Sequence, residues 1–282
     1  MKWFNHHTHT TFCDGSKPPL DYVKTALEQD FSMLGFSSHA PLPFPNTFAL
    51  KQERVDEYCQ TIRSLSSEYA GQLEVYLSME IDFIPGVLED FGYWKKRAAL
   101  DYVIGGVHLL VPPGKEPLWF IDGPRQQTFD EGLAELFGRD IKLAVRTYFD
   151  QMNLMVETQA PDVVAHLDKI KMHNQERFFS VNDAWYLSML DESLELIRQK
   201  GCIVEVNTRG IYKGRSNEFF PNLKALKKIK ELGIPVTLSS DAHAPEDLSK
   251  EFPTALQVIR AAGIRELMVF SFGKWKAVGL EF

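Results

Sequence analysis

Short apolar runs recur along this chain, and most of them stop at a histidine or a carboxylate. Lys2–His7 reads as a first strand, with His9 just beyond it. Met33–Ser38 ends at His39, Leu73–Met79 at Glu80, Tyr102–Val107 at His108 and Asp162–Ala165 at His166. Cys202–Asn207 is a further strand, Ile234–Ser239 leads to Ser240-Asp241-Ala242-His243, and Glu266–Phe270 is a short final one. Between them lie segments with helical apolar spacing: Pro19–Gln29, Glu53–Tyr69, Leu88–Ala98, a long stretch over Asp130–Glu157 in one or two pieces, Asp183–Gln199, Asn222–Leu232 and Pro245–Ala262. Strand and helix alternating about seven times favours an α/β fold, a parallel sheet with helices outside. No G-x-G-x-x-G follows the first strand, so a dinucleotide fold loses ground. Polar residues at the C-terminal ends of many different strands favour a closed barrel, because there those ends converge on one mouth. Neither a linker nor a repeat is visible, so residues 1–282 are expected to form a single barrel domain.

The strand ends carry the chemistry. His7 and His9 are two apart and share a face on a strand. Asp14, in a turn made by Gly15, can reach the same place. Adding His39, Glu80, His108, His166, Asp241 and His243 collects six of the eight histidines and three carboxylates. Histidine and carboxylate without thiolate suit Zn²⁺, Mn²⁺ or Fe²⁺, not a structural cysteine site. One ion takes about four ligands, so this set, with Glu80 able to bridge, suffices for two or three. Alone, His39 or His166 would read as a satisfied loop residue and Glu80 as a salt-bridged acid. A solvated-surface account does not explain why histidines avoid helices and fall on successive strand ends. His6 would point away from His7, His173 in a Lys/Asn-rich loop reads as surface, and Cys13 reads as packing. Leu109–Thr128 is long for a connection, and such loops are often functional.

A chain that is 44% hydrophobic can bury a sizeable core, and a net charge of −7 argues against general affinity for nucleic acid or an anionic membrane. Cys13, Cys59 and Cys202 have no C-x-x-C spacing, as expected of a reduced intracellular protein. The N-terminal residues lack an apolar signal region, and no run approaches the ~20 apolar residues that cross a bilayer. These features lead to the expectation of a cytoplasmic protein.

His7-Thr8-His9, Asp14-Gly15, Ser38-His39, Met79-Glu80, Gly106-Val107-His108, Ala165-His166-Leu167-Asp168 and Ser240-Asp241-Ala242-His243, in that order, resemble the motifs of the PHP family, named for polymerase and histidinol phosphatase. Amidohydrolase barrels also begin with His-x-His but generally lack an Asp-x-His after the last strand. Within the family the chain looks like the monofunctional histidinol-phosphate phosphatases. Its size, the insertion after His108, Val204-Glu205-Val206-Asn207-Thr208, and the helix and strand after Asp-Ala-His carry that likeness. The resemblance implies a distorted (β/α)₇ barrel with three metal ions. One would be held by His7, His9, Glu80 and Asp241, a second by Glu80, His108 and His166, a third by Asp14, His39 and His243. These phosphatases usually read Ser-Gly-Leu-Arg-Lys after Asn-Thr, whereas this chain reads Arg209-Gly210-Ile211-Tyr212-Lys213. If that arginine grips phosphate in the relatives, Arg209 or Arg215, three residues before and after Tyr212, has to stand in for it or the substrate differs; Lys171 is a second phosphate candidate, and of the three Arg215 reads most readily as a solvated surface charge.

The implied reaction is hydrolysis of a small phosphate monoester, L-histidinol phosphate, by metal-activated water, whose pKa falls from 15.7 toward ~7 in strongly activated cases. The ions and a basic residue would neutralise the phosphoryl oxygens. Glu80 bridges metals, and Asp14, His243 or a metal-bound water supplies the leaving group's proton. Asp122, in the loop with Trp119, Phe120 and Arg125, is the expected contact for the substrate's cation. No nucleophilic Ser or Cys motif and no aspartyl-phosphate run is present, which disfavours a covalent route. Two readings compete. An exonuclease or nucleotide phosphoesterase on the same barrel would need a basic, aromatic groove, whereas Lys224, Lys227, Lys228 and Lys230 read as an outer helix face. A non-catalytic, metal-stabilised module would have lost ligands, and none is lost here.

Overall fold

A computed structural model of the chain describes residues 2–88, 90–114 and 116–280. In order, the elements are β1 (Trp3–Asn5), α1 (Pro19–Glu28), β2 (Phe31–Phe36), α2 (Val55–Glu68), β3 (Glu74–Asp82), α3 (Phe91–Arg97) and β4 (Tyr102–Gly106). A two-strand hairpin follows, β5 (Leu109–Leu110) and β6 (Trp119–Phe120), then α4 (Gln126–Phe137), α5 (Ile141–Gln159) and β7 (Val163–Val164). The chain continues through α6 (Ala184–Lys200), β8 (Ile203–Asn207), α7 (Arg209–Tyr212), α8 (Leu223–Leu232), β9 (Val236–Ser239), α9 (Phe252–Ala261), β10 (Glu266–Ser271) and β11 (Lys274–Gly279).

The seven strands β1-β2-β3-β4-β7-β8-β9 form one sheet in that order, and every pairing in it is parallel. The sheet nearly closes into a barrel through residues just past its first and last strands. Thr8 bridges Ala242 in parallel, with His9 N–H donating to the Ala242 carbonyl (2.8 Å) and Ala242 N–H to the His7 carbonyl (3.2 Å). The buried Asn5 side chain adds a stitch, donating to Ser240 Oγ at 2.7 Å and to the Leu248 carbonyl at 3.0 Å.

Local sequence explains the elements. Every residue of β4 is buried, as a strand of a parallel sheet covered on both faces requires. In α8 the apolar face Ala225, Leu226 and Ile229 is buried, and Lys224, Lys227 and Lys230 lie outside, as expected of a solvated face. Asn222 caps this helix by accepting from Ala225 N–H at 3.0 Å. Gly233, at φ 69°, ends it in the left-handed conformation.

Several expectations need correcting. β3 does not stop at Glu80 but runs to Asp82, because Glu80–Asp82 pair with Ile104–Gly106 of β4. The segment after His108 is not a plain loop. It forms the β5–β6 hairpin, and α4 already begins at Gln126. The long helical stretch is two helices, parted at Gly138 (φ 55°) and restarted by Asp140, whose carboxylate accepts from Leu143 N–H. The expected helix from Pro245 is a single 3₁₀ turn, Pro245–Asp247, followed by α9. The last expected strand lies outside the barrel sheet and pairs antiparallel with β11, through a turn in which Phe272 and Gly273 both hold positive φ, 49° and 74°. No helix among the described residues is long and apolar enough to cross a membrane.

Candidate metal centre

The closing seam brings its histidines and acids to one face of the barrel mouth. His9 Nε2 lies 3.3 Å from Asp241 Oδ1, and the His9 and His243 rings are 4.1 Å apart. Asp14 reaches this face through its turn. Gly15 N–H donates to the Thr10 carbonyl and Ser16 N–H to the His243 carbonyl. A Cβ at position 15 would collide with the backbone of His9 and Thr10, so glycine is required there. Asp14 Oδ2 stands 3.2 Å from His243 Nε2, and Oδ1 stands 3.8 Å from His9 and 3.9 Å from His39.

Glu80 sits at the centre, buried, with its two oxygens serving different sets. Oε2 is 3.1 Å from His7 Nε2, 3.4 Å from His9 Nε2 and 3.2 Å from His39 Nδ1. Oε1 is 2.9 Å from His166 Nε2 and 3.4 Å from His108 Nε2. The three nitrogens around Oε2 are buried yet make no hydrogen bond, although orphaned buried polar atoms are costly. Electron-pair donors converging on shared space without hydrogen-bonding one another are what a cation needs. Three groups have ligand atoms within 4.8 Å of one another: His9, Asp14, His39 and His243; His7, His9 and Asp241; His39, Glu80 and His108. Eight of the nine strand-end residues singled out in the sequence fall in these groups, and the ninth, His166, adjoins them through Glu80 Oε1 at 2.9 Å. Two of them, His166 (φ 27°) and Asp241 (φ 51°), hold left-handed backbone, a cost that functional sites tolerate.

Burial pushes His9 and His39 down, each to about 4. Burial also opposes charge on His7 and His108, but Glu80, Glu205 and Asp241 hold His7 well above its ordinary value, and Asp82 and Glu80 hold His108 at about 9. Against their own burial, Glu80 and Asp241 are held well below the usual carboxylate range, chiefly by His7.

Two buried carboxylates that the sequence reading passed over orient the ring nitrogens. Glu205 Oε1 is 2.7 Å from His7 Nδ1, and its Oε2 accepts from His166 N–H and Asn207 Nδ2, both at 3.0 Å. Asp82 Oδ1 is 2.9 Å from His108 Nδ1. A carboxylate on Nδ1 fixes the tautomer that leaves Nε2 free to bind a metal. Asp82 had a signal, since it lies two residues past Glu80 on one strand face.

The cavity above these residues has a volume of about 310 Å³ and is lined by Phe48, Phe120, Asp122, Lys169, Arg209 and Arg215 along with Asp14, His39, Glu80, His108, Asp241 and His243. Arg209 is there, its Nη1 2.8 Å from the Asp241 carbonyl and 2.6 Å from His243 Nδ1. Arg215 lines the cavity too and is half-buried, not a solvated surface charge. Lys171 is not there. It is buried against Asp168 (2.7 Å) and the Phe219 carbonyl (3.1 Å). Lys169, two residues earlier, takes the place at the mouth, 2.8 Å from Asp122 Oδ2. Despite burial, Lys169 and His108 hold Asp122 at about 2. His173 is not at the surface. It is buried, with Nε2 donating to the Gly123 carbonyl at 2.8 Å. His6 does point away from the centre, toward Thr237 Oγ1 and Phe270 N–H.

Comparison with known proteins agrees with this geometry. A protein of Deinococcus radiodurans named a probable histidinol-phosphatase is 30% identical over 92% of this chain and 93% of its own length. The histidinol-phosphatase of Bacillus subtilis is 25% identical over 89% of this chain and 97% of its own. Histidinol phosphate phosphatase of Lactococcus lactis, solved with zinc, L-histidinol and phosphate, superposes with a TM-score of 0.69 at 22% identity, covering 98% of this chain and 99% of that one. That last likeness speaks for the fold alone. A sequence model of the PHP domain matches residues 5–209, more than half the chain, and with a relative 30% identical along almost its full length this chain belongs to the PHP family.

Proposed function

We propose that this chain hydrolyses L-histidinol phosphate to L-histidinol and phosphate at a cluster of divalent metal ions. The observation that carries this reading is Glu80, one oxygen facing His7, His9 and His39 and the other facing His108 and His166. His7, His9, Glu80 and Asp241 would hold one ion, Glu80, His108 and His166 a second, and Asp14, His39 and His243 a third. Histidine and carboxylate donors suit zinc, manganese or iron. When bound, such ions polarise phosphoryl oxygens and lower the pKa of a coordinated water. The protein's own groups do the rest. Asp14 is the most open of the acids, its side chain 30% exposed. Asp14 Oδ2 and His243 Nε2, 3.2 Å apart, can hold a proton at the rim for the leaving oxygen. Arg209, Arg215 and Lys169 bring positive charge to the phosphoryl group. Asp122 Oδ1, buried without a hydrogen-bond partner, can accept from the substrate's cationic half. A cavity of about 310 Å³ suits a small ester better than a nucleic-acid strand. Three free cysteines support the cytoplasm as its place.

The test is phosphate release by metal-loaded protein from L-histidinol phosphate beside nucleotides and sugar phosphates. A kcat/KM of ~10⁴ M⁻¹s⁻¹ or more on L-histidinol phosphate alone is expected. Weak, even turnover across the panel overturns the substrate assignment, and turnover that survives Glu80→Ala overturns the shared centre.

A further inference from the structure

The backbone of Asp241 is held from outside the barrel seam. Its two neighbours belong to the seam: Ser240 Oγ accepts from Asn5 Nδ2 at 2.7 Å, and Ala242 N–H donates to the His7 carbonyl at 3.2 Å. Asp241 between them adopts left-handed backbone, φ 51°, which a residue with a Cβ rarely keeps unless its surroundings hold it there. The carbonyls on either side of its Cα turn to one place, the hydroxyl of Tyr212. Tyr212 Oη lies 2.9 Å from the Ser240 carbonyl and 3.1 Å from the Asp241 carbonyl, so its one hydrogen is shared by both peptide units. Arg209 Nη1 adds a bond to the Asp241 carbonyl at 2.8 Å. Tyr212 ends α7, which follows β8, so this contact ties the end of β8 to the end of β9. The Tyr212 ring is fixed in turn. Lys213 and Lys250 both pair with the buried Asp247, at 2.9 and 2.7 Å, and bring their ammonium groups 5.2 and 5.8 Å from the ring centroid.

Side chains hold the Asp241 carboxylate only loosely. His9, His243 and Asn207 stand 3.3, 3.4 and 3.4 Å from it, and Lys169, His7 and Arg209 3.9, 3.9 and 4.0 Å. Its direction is therefore set by its main chain, and the main chain by Tyr212 and Arg209. We propose that Tyr212 is a positioning residue of the metal centre: by pinning the two peptides that flank Asp241, its hydroxyl aims the carboxylate at the ion shared with His7 and His9. The role rests on the reading of the cluster as a metal centre and is independent of which ester is hydrolysed there.

The experiment titrates Co²⁺ into metal-free wild type, Tyr212→Phe, Asp241→Asn and the double variant, follows the visible absorption of the bound cobalt, and competes each ion against a chromophoric chelator. Thr208→Val is the control. It removes a hydroxyl from the same segment that donates elsewhere, to the Lys250 carbonyl at 2.8 Å. Melting temperatures of the metal-free proteins establish that each variant is folded, and the titrations run well below the lowest of them. Tyr212→Phe should weaken one ion about tenfold, the lower end for loss of a partner behind a metal ligand, and alter the cobalt spectrum, while the other ions keep wild-type affinity. In the Asp241→Asn background the same substitution should change nothing further, because it acts through that carboxylate. Thr208→Val should lower the melting temperature and leave cobalt binding unchanged. Wild-type affinity and spectrum in Tyr212→Phe, an equal loss at every ion, an undiminished effect in the Asp241→Asn background, or the same change in Thr208→Val overturns the positioning role. Wild type that binds no cobalt at the cluster overturns the metal centre itself, and the role with it.

Discussion

Replacing Glu205 by Gln tests how the centre is held, because it changes charge and hydrogen bonding at almost constant shape. The carboxylate accepts three bonds: from His7 Nδ1 at 2.7 Å, His166 N–H at 3.0 Å and Asn207 Nδ2 at 3.0 Å. A glutamine has one acceptor oxygen. If it faces His7, the amide NH₂ confronts two donors. If it faces those donors, the NH₂ meets His7 Nδ1 and drives the ring proton to Nε2, removing the lone pair aimed at the centre. Each donor left unpaired costs ~1–3 kcal/mol of stability. Loss of such an orienting partner typically costs 10–100-fold in metal affinity, about 1.4–2.8 kcal/mol. The assay is metal titration against a chromophoric chelator, with thermal unfolding of the metal-free protein run beside it. Glu205→Asp, which keeps the charge but shortens the reach, should fall between. A Gln variant that binds its full metal complement at wild-type affinity refutes the reasoning, since His7 would then need no carboxylate behind it.

Lys169→Met strands the buried Asp122 carboxylate, now paired at 2.8 Å, and should cost ~3–5 kcal/mol in denaturant melts, with Asp122→Asn on top recovering most of it. Asp122 is held at about 2 against an ordinary 3.8, so its contribution, ~2 kcal/mol, is full above that ordinary value and is lost as pH falls toward 2; the double variant should lack this acid dependence. Gly15→Ala forces a Cβ into the backbone of His9 and Thr10 and should lower stability by ~1–3 kcal/mol. It should also reduce metal stoichiometry by displacing Asp14, and wild-type metal content and melting temperature would contradict that. Gln151 joins the segments after β3 and β4, donating to the Phe83 and Leu109 carbonyls and accepting from Val111 N–H. Gln151→Leu leaves three buried or half-buried backbone groups unpaired and should cost ~3 kcal/mol or more, with faster hydrogen exchange across the β5–β6 hairpin.

The barrel, and the convergence of the nine strand-end residues on its mouth, were legible because two signals coincide: an apolar run marks a strand, and a histidine at its end has few other reasons to recur. Glu205 was not legible as an orienting group, since an acid within an apolar strand announces only that it must find a partner, not which one, whereas Asp82 had the one signal of sharing a strand face with Glu80. The exchange of Lys171 for Lys169 has a geometric cause. Lys169–Lys171 form a 3₁₀ turn, where about three residues complete a turn, so lysines two apart point in different directions. One faces Asp122 at the mouth and the other Asp168 beneath it. His173 misled because its segment is polar in composition, while its burial comes from tertiary contacts, the Phe129 ring of α4 at 5.7 Å and the Gly123 carbonyl. β11 was missed because its residues are mostly exposed, which leaves little apolar pattern to read.

Closing the barrel and assembling the centre are one structural event. Thr8 and Ala242 pair across the seam, so the residues flanking each, His7 and His9 on one side and Asp241 and His243 on the other, project to the same face of the sheet. The motif His-x-His and the motif Asp-x-His are therefore two halves of one device, written more than two hundred residues apart and joined only when the last strand lies beside the first. Neither half has a complete set of ligands for an ion. The seam itself is slight: a three-residue β1, two backbone hydrogen bonds between His7-His9 and Ala242, and the Asn5 stitch. A cation shared by His7, His9 and Asp241 would bind the closed barrel and not an open one, so its binding free energy adds to closure by linkage. In this fold the site is part of what holds the first strand to the last.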